Sequence, residues 1–387
     1  MADNYSLYYE LLLRMDYDQL LKFGEILQPN PDLKEIIRQI ITNNNFWYRK
    51  LSMEIKTFYE PSTNWARAYK LFQSGKEYNQ MLIEASKNGW LPEVELLLLN
   101  HADPSAQDNF AIRRACENGH LTVIDRLLDD PRTNPSAGNN CTIKLASKNG
   151  NLAIVNRLLD DKRVNPSVGD DYAIKVASEN GYLAIVNRLL EDRRVDPSDN
   201  RNEAIIRASQ NGHLAIVNRL LNDKRVNPSA QDNEAIIRAS LNGHLAVVDR
   251  LLQNKRVNPS AQDNKAIIRT SQNGHLAVVN RLLEDPRVDP SAQDDDPIKL
   301  ASRNGHLEVV DRLLEDQRVN PSAQDNEALI RASQNGYLAV VNRLLEDPRV
   351  DPSAQDNKAM KKAGDLGWSA VIDRLLQDER VIARLSN

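Results

Sequence analysis

The sequence predicts an all-α solenoid of about ten helix-turn-helix units over residues 79–387, preceded by a small helical domain over residues 1–75. Three observations predict it. One glycine keeps a fixed phase: Gly89, then Gly119 after 30 residues, then one every 31 residues to Gly367. Pro-Ser recurs in step with it from Pro104 to Pro352, and a Leu-Leu pair from Leu97 to Leu376. Between these marks the apolar residues fall at helical spacing.

Residues 1–75 carry no repeat. "SLYYELLLRMDYDQLLKFGEIL" and "DLKEIIRQIITNNNFWYRKLSMEI" read as amphipathic helices, broken by "QPNPD" and "TNNN". Leu11, Leu12, Met15, Leu20, Leu21 and Phe23, with Phe46-Trp47 and Leu51, supply a small helical core. The layout "ELLLRMDYDQLLKF…FWYRKL" resembles an F-box over about 45 residues, although the usual Leu-Pro start and the cysteine-tryptophan pattern of the middle helix are missing. That resemblance implies recruitment of a cullin-type ubiquitin ligase through its adaptor. The other reading is a helical cap that covers the apolar face of the first repeat. Both stand at this stage.

The unit "NEAIIRASLNGHLAVVDRLLQNKRVNPSAQD", residues 233–263, shows how each repeat is built. Ala235, Ile236 and Ala239 give a short apolar helical face. Asn242-Gly243 ends that helix, the glycine supplying a left-handed residue past its C-terminus. Leu245, Val248 and Leu252, with Val247 and Leu251, mark a second amphipathic helix of about two turns. "KRVNPSAQDN" then forms a Pro/Ser/Asn/Asp loop that continues neither helix. One unit alone leaves its apolar face wet, and stacking neighbours buries it. The last unit carries Lys358, Lys361 and Lys362 on its first helix, as a C-terminal cap with a polar outer face does.

"NGHLAVVDRLL" is similar to the helix-turn-helix signature of ankyrin repeats, and "RVNPSAQDN" stands where that family has its finger loop. The resemblance runs from about residue 79 to residue 387. The period of 31 implies shortened fingers, and Glu234-Ala235-Ile236-Ile237 replaces the family's Thr-Pro-Leu-His opening. The array also resembles those encoded by large DNA viruses of amoebae. It implies a non-enzymatic, monomeric chain that captures a partner protein on its concave side.

Composition and chemistry exclude most other functions. A net charge of −4 gives no electrostatic reason to seek nucleic acid or an anionic membrane. No segment approaches the roughly 18 apolar residues of a membrane helix, and the N-terminus lacks a signal-peptide pattern. Two cysteines, Cys116 and Cys141, suit a reduced cytoplasmic or nuclear setting. The histidines after the phase glycine (His120, His213, His244, His275, His306) alternate with Trp90, Asn151, Tyr182, Tyr337 and Trp368. A metal does not accept Trp or Tyr for imidazole, so these are turn-packing residues. The acidic "QDDDP" at 293–297 lacks the alternating ligands and glycine of a calcium loop. No metal, cofactor or catalytic constellation is expected.

Binding residues are sought where units differ. At the start of the first helix stand Phe110, Cys141 and Tyr172, and later units place Glu203, Glu234, Lys265, Asp296, Glu327 and Lys358 there. Loop tips depart from "SAQDN" at "AGNN", "VGDD" and "DNRN", the last containing Arg201. With Arg113, Arg114, Lys144 and Lys175 beside the aromatic residues, this set suits a protein hot spot. Drift between duplicated units is the alternative. Two arginine columns, Arg126 to Arg374 and Arg132 to Arg380, read either as a solvated face laced with ion pairs or as a track for an acidic partner.

Overall fold

The computed structural model describes residues 78–385 together with Leu12 and Met15. The domain expected over residues 1–75, F-box-like or capping, therefore lies outside the described residues apart from those two. The chain divides into two compact units, Met1–Gly169 and Asp170–Asn387. The first holds α1 (Tyr78–Asn88), α2 (Leu91–Leu99), α3 (Ala106–Asn118), α4 (Leu121–Leu128), α5 (Ala137–Lys148) and α6 (Leu152–Leu159). Helix α7 (Val168–Glu179) straddles the division. The second unit continues with α8 (Leu183–Leu190), α9 (Asp199–Gln210), α10 (Leu214–Leu221), α11 (Ala230–Leu241), α12 (Leu245–Leu252), α13 (Ala261–Gln272) and α14 (Leu276–Leu283). It ends with α15 (Ala292–Asn304), α16 (Leu307–Leu314), α17 (Ala323–Gln334), α18 (Leu338–Leu345), α19 (Ala354–Asp365), α20 (Ser369–Leu375) and α21 (Glu379–Leu385).

The fold is all-helical, with no strand among the described residues. Within each unit first helices stack on first helices, as α3 on α1 and α11 on α9, and second helices on second helices, as α12 on α10. In the repeat of α11 and α12 the core consists of Ala235, Ile236, Ala239, Val247, Val248 and Leu251, each essentially sealed from solvent. Full burial of a Val, Leu or Ile contributes roughly 1.5–3 kcal/mol. The turn between them has the hydrogen bonds of a Schellman motif: His244 N–H donates to Ala239 O at 2.9 Å and Gly243 N–H to Ser240 O at 3.1 Å. Gly243 takes φ +75°, as the sequence predicts.

The shortened finger is a left-handed turn. Gln231, Asp232 and Asn233 have φ of +51°, +54° and +65°, and the right-handed part of α11 starts only at Glu234. Left-handed backbone costs non-glycine residues roughly 1–2 kcal/mol each, less for Asn and Asp. The third residue offsets part of that cost. Asn233 Oδ1 accepts the Asn258 amide of the next loop at 2.7 Å, as Asn109 does from Asn134 at 2.6 Å in the first unit. The receiving Asn258 in turn accepts the Ser260 amide at 3.1 Å and hydroxyl at 2.8 Å. The recurring Asn-Pro-Ser is therefore an Asx turn tied to its neighbour.

The histidines act as turn-packing residues across the repeat boundary. His244 Nε2 lies 2.9 Å from Gln210 O, and His275 Nε2 lies 3.0 Å from Leu241 O, both carbonyls at the ends of preceding first helices. Such carbonyls have no intrahelical partner. The His275 ring also covers Gly243 so closely that a Cβ there would meet Nδ1 at 2.7 Å. The phase glycine thus answers two demands at once: a positive φ and the next unit's ring.

Loop arginines clip neighbouring loops together. Arg287 holds Asp285 at 2.9 and 2.7 Å and donates from its remaining terminal nitrogen to Val257 O at 2.9 Å. It holds the Asp285 carboxyl below the usual range. This column is a built-in fastener rather than a merely solvated face. At the far end, Asn357 Nδ2 donates to Val381 O at 3.0 Å. Alongside the lysines of α19, the last unit leaves Leu366, Ile382 and Leu385 58%, 48% and 53% exposed.

Candidate functional site

In the first unit, three left-handed residues, Gln107, Asp108 and Asn109, deliver Phe110 to the first right-handed turn of α3. Phe110 is half-buried rather than free. The Arg113 guanidinium carbon stands 5.4 Å from its ring centroid and that of Arg114 4.6 Å, both within cation–π reach. Arg114 also pairs with Glu117 at 2.6 Å, whereas Arg113 reaches Asp108 only at 3.5 Å. Arg113 Nε is buried with no hydrogen-bond partner among the described residues.

The neighbouring loop accommodates that guanidinium. Gly138 replaces the usual Gln, and a Cβ there would lie 3.3 Å from both Arg113 Cζ and Cys141 Cβ. Cys141 and Lys144 of α5 are half-buried, and Lys144 has no ion pair among the described residues. The other thiol, Cys116, is fully buried, and that burial pushes it far above the ordinary thiol range. Phe110, Arg113 and Arg114 are thus brought together, with Gly138 and Cys141 against Arg113.

The remaining candidates belong to the second unit. Tyr172 is 39% exposed at the start of α7, and Lys175 is half-buried one turn further on. Arg201 is exposed at φ +59°, where most later loops place Asp. Beyond them the same helix starts close on themselves. Glu203 accepts from Arg207 at 2.9 Å and Glu327 from Arg331 at 2.9 Å, while Glu234 pairs with Arg238. A second carboxylate, Glu179, also reaches Arg207 at 2.6 Å.

Sequence reasoning missed one group here. Asp171 stands where most units carry the buried Asn of the loop ladder, and burial pushes its carboxyl up to about 7. Asp199 and Asp196 add to the rise, against the Asp196 amide, which favours the charged form. Its Oδ1 is buried without a hydrogen-bond partner among the described residues. The Asn-to-Asp change in "VGDD" was the signal.

No described group of His, Cys, Asp or Glu has the arrangement of a metal site. No described helix is long and apolar enough to cross a membrane. A family model described as ankyrin repeats (3 copies) matches residues 82–170, 173–263 and 267–356. No curated protein matches the chain.

Proposed function

The chain belongs to the ankyrin-repeat proteins, and on that premise we propose that it captures a partner protein through the first helices of its early repeats, with Phe110, Arg113 and Arg114 as the anchor. Ankyrin repeats form protein–protein interaction scaffolds. The observation that carries the finer reading is the Phe110 ring under two guanidinia, one of them, Arg113, paired only through a long 3.5 Å contact with Asp108. A carboxylate or carbonyl supplied by a partner would pair with the partly exposed end of the Arg113 guanidinium, which Asp108 reaches only at 3.5 Å, and the aromatic ring would add apolar contact. Aromatic and arginine anchors dominate interface energetics. Tyr172, Lys175 and Arg201, with Cys141 and Lys144, are the accessory candidates.

The F-box-like layout of the N-terminal segment supports a second role, a substrate receptor that brings the captured protein to a cullin-type ubiquitin ligase in the cytoplasm. Without that role the chain is a binding or decoy scaffold. One pull-down from cell lysate tests both. It compares the full chain, a chain lacking residues 1–75, and full-length Phe110→Glu. The proposal expects Phe110→Glu to lose the captured protein, since later units already carry Glu there and fold with it. Loss of ligase subunits alone on removal of residues 1–75 supports the receptor role. Retention of every partner by Phe110→Glu refutes the anchor.

A further inference from the structure

Second helices and the loops after them repeat one charge scheme. Most second-helix arginines, though not Arg126 or Arg374, have a carboxylate close by: Arg157 meets Asp125 at 2.9 Å, Arg281 meets Asp249 at 2.6 Å, and Arg343 meets Asp311 at 2.6 Å. Arg312 reaches Glu315 at 3.6 Å. Loop arginines hold an Asp two residues earlier, as Arg287 holds Asp285 and Arg318 holds Asp316, each at 2.7 Å.

Two adjacent repeats of the second unit break the scheme. Arg219 Nε donates to Asn187 Oδ1 at 3.0 Å and Arg250 Nε to Asn218 Oδ1 at 2.7 Å, amides where a carboxylate would carry charge. The C-caps of α10 and α12 are Asn222 and Gln253, where α8, α14, α16 and α18 end on Glu191, Glu284, Glu315 and Glu346. Asn254 replaces the loop Asp, so among the described residues the Arg256 backbone N–H donates to Asn254 Oδ1 and its guanidinium only to Val226 O at 3.1 Å. Lys224 and Lys255 are exposed on these same loops, with no ion pair among the described residues. The nearby acids are already engaged, Asp223 by Arg225 and Asp249 by Arg281.

Among the described residues, five cations on neighbouring repeats therefore have no carboxylate in ion-pair contact: Arg219, Lys224, Arg250, Lys255 and Arg256. Stacked helices lie about 8–10 Å apart, near the Debye length at physiological ionic strength, so their fields overlap. We infer that the loops and helix ends of residues 218–226 and 249–257 form a docking surface for a short acidic polypeptide segment. The chemistry favours carboxylates over nucleic acid. Residues 201–260 contain no Phe, Tyr or Trp on which bases would stack. The repeats on either side restore their glutamates, which repel a long polyanion and leave room only for a short acidic stretch. This surface is separate from the Phe110 anchor and does not depend on it.

The test is fluorescence anisotropy of a short labelled poly-glutamate peptide with the full chain, at low and at physiological ionic strength. The combined variant Asn222→Glu, Gln253→Glu, Asn254→Asp installs residues that flanking repeats already carry, and is expected to weaken binding about tenfold. Lys224→Gln with Lys255→Gln, at two exposed sites, should weaken it several-fold. Parent-like affinity in both charge variants overturns the inference, as does tighter binding of a single-stranded oligothymidylate than of the peptide.

Discussion

The repeats of residues 78–169 and those of residues 170–385 share a backbone and differ in how their side chains finish it. At the start of α9, α11 and α17, a Glu and an Arg four residues on neutralise each other within one helix. At the start of α3 the same positions hold Phe110 and Arg114, with Arg113 in place of a buried isoleucine such as Ile237. The difference separates two kinds of position. Turn glycines, loop asparagines and loop arginines build the stack, whereas the first residue of the helix is free to vary because the left-handed turn before it already fixes the chain. On the proposed reading, it is this variation that a partner recognises.

The largest expected effect sharpens the comparison at the turn glycines. Gly243→Val puts a branched side chain at positive φ and into the His275 ring, and should cost at least about 2 kcal/mol in urea unfolding. Gly119→Val in the first unit meets only the Asn151 side chain, at 3.4 Å, and should cost closer to about 1 kcal/mol. Equal losses would show that strain alone, not the neighbouring ring, sets the penalty.

The next effect depends on pH. Asn109 and Asn140 fill the loop-ladder position in the first unit and do not titrate, whereas Asp171 does, facing Asp196, Asp199 and the guanidinium of Arg225. A carboxyl whose folded pKa is raised contributes its full stability below its unfolded value near 4. That contribution is lost as pH rises toward about 7. Asp171→Asn should therefore stabilise the chain by about 1–2 kcal/mol at pH 8 and change little at pH 4. Thermal melts at both pH values check the sign, and a stabilisation confined to pH 4 would reverse the assignment.

The smallest effect is His244→Tyr. It removes the bond to Gln210 O while leaving a ring over Gly212, and should cost less than about 1 kcal/mol. Tyr337 already covers Gly305 in this way. A loss as large as that of Gly243→Val would mean that the imidazole bond, not ring coverage, holds adjacent repeats.

Much of this was legible in residue order. Asn242-Gly243 announced its turn, and the exchange of His244 for Tyr or Trp in other units marked a turn-packing ring, as its contact with Gln210 O shows. The left-handed Gln-Asp-Asn turn was harder, because Gln and Asp carry no strong signal for positive φ. Gly138 and Gly169, which stand at its first position in two units, were the available hint. Residues far apart in sequence hid the rest. Residue order sets Arg113 and Arg114 beside Phe110 but does not show that its ring lies under both guanidinia, with Gly138 making room for one of them. The loop arginines looked solvated because their acceptors, carbonyls such as Val257 O, belong to the preceding repeat.

Amide hydrogen exchange across the full chain, with and without the captured protein, tests the central claim most directly. The account predicts added protection in α3 and α5, around Phe110 to Lys144, with the self-paired first helices α9, α11 and α17 unchanged. Protection confined to those later helices, with α3 and α5 exchanging as in the free chain, would contradict it.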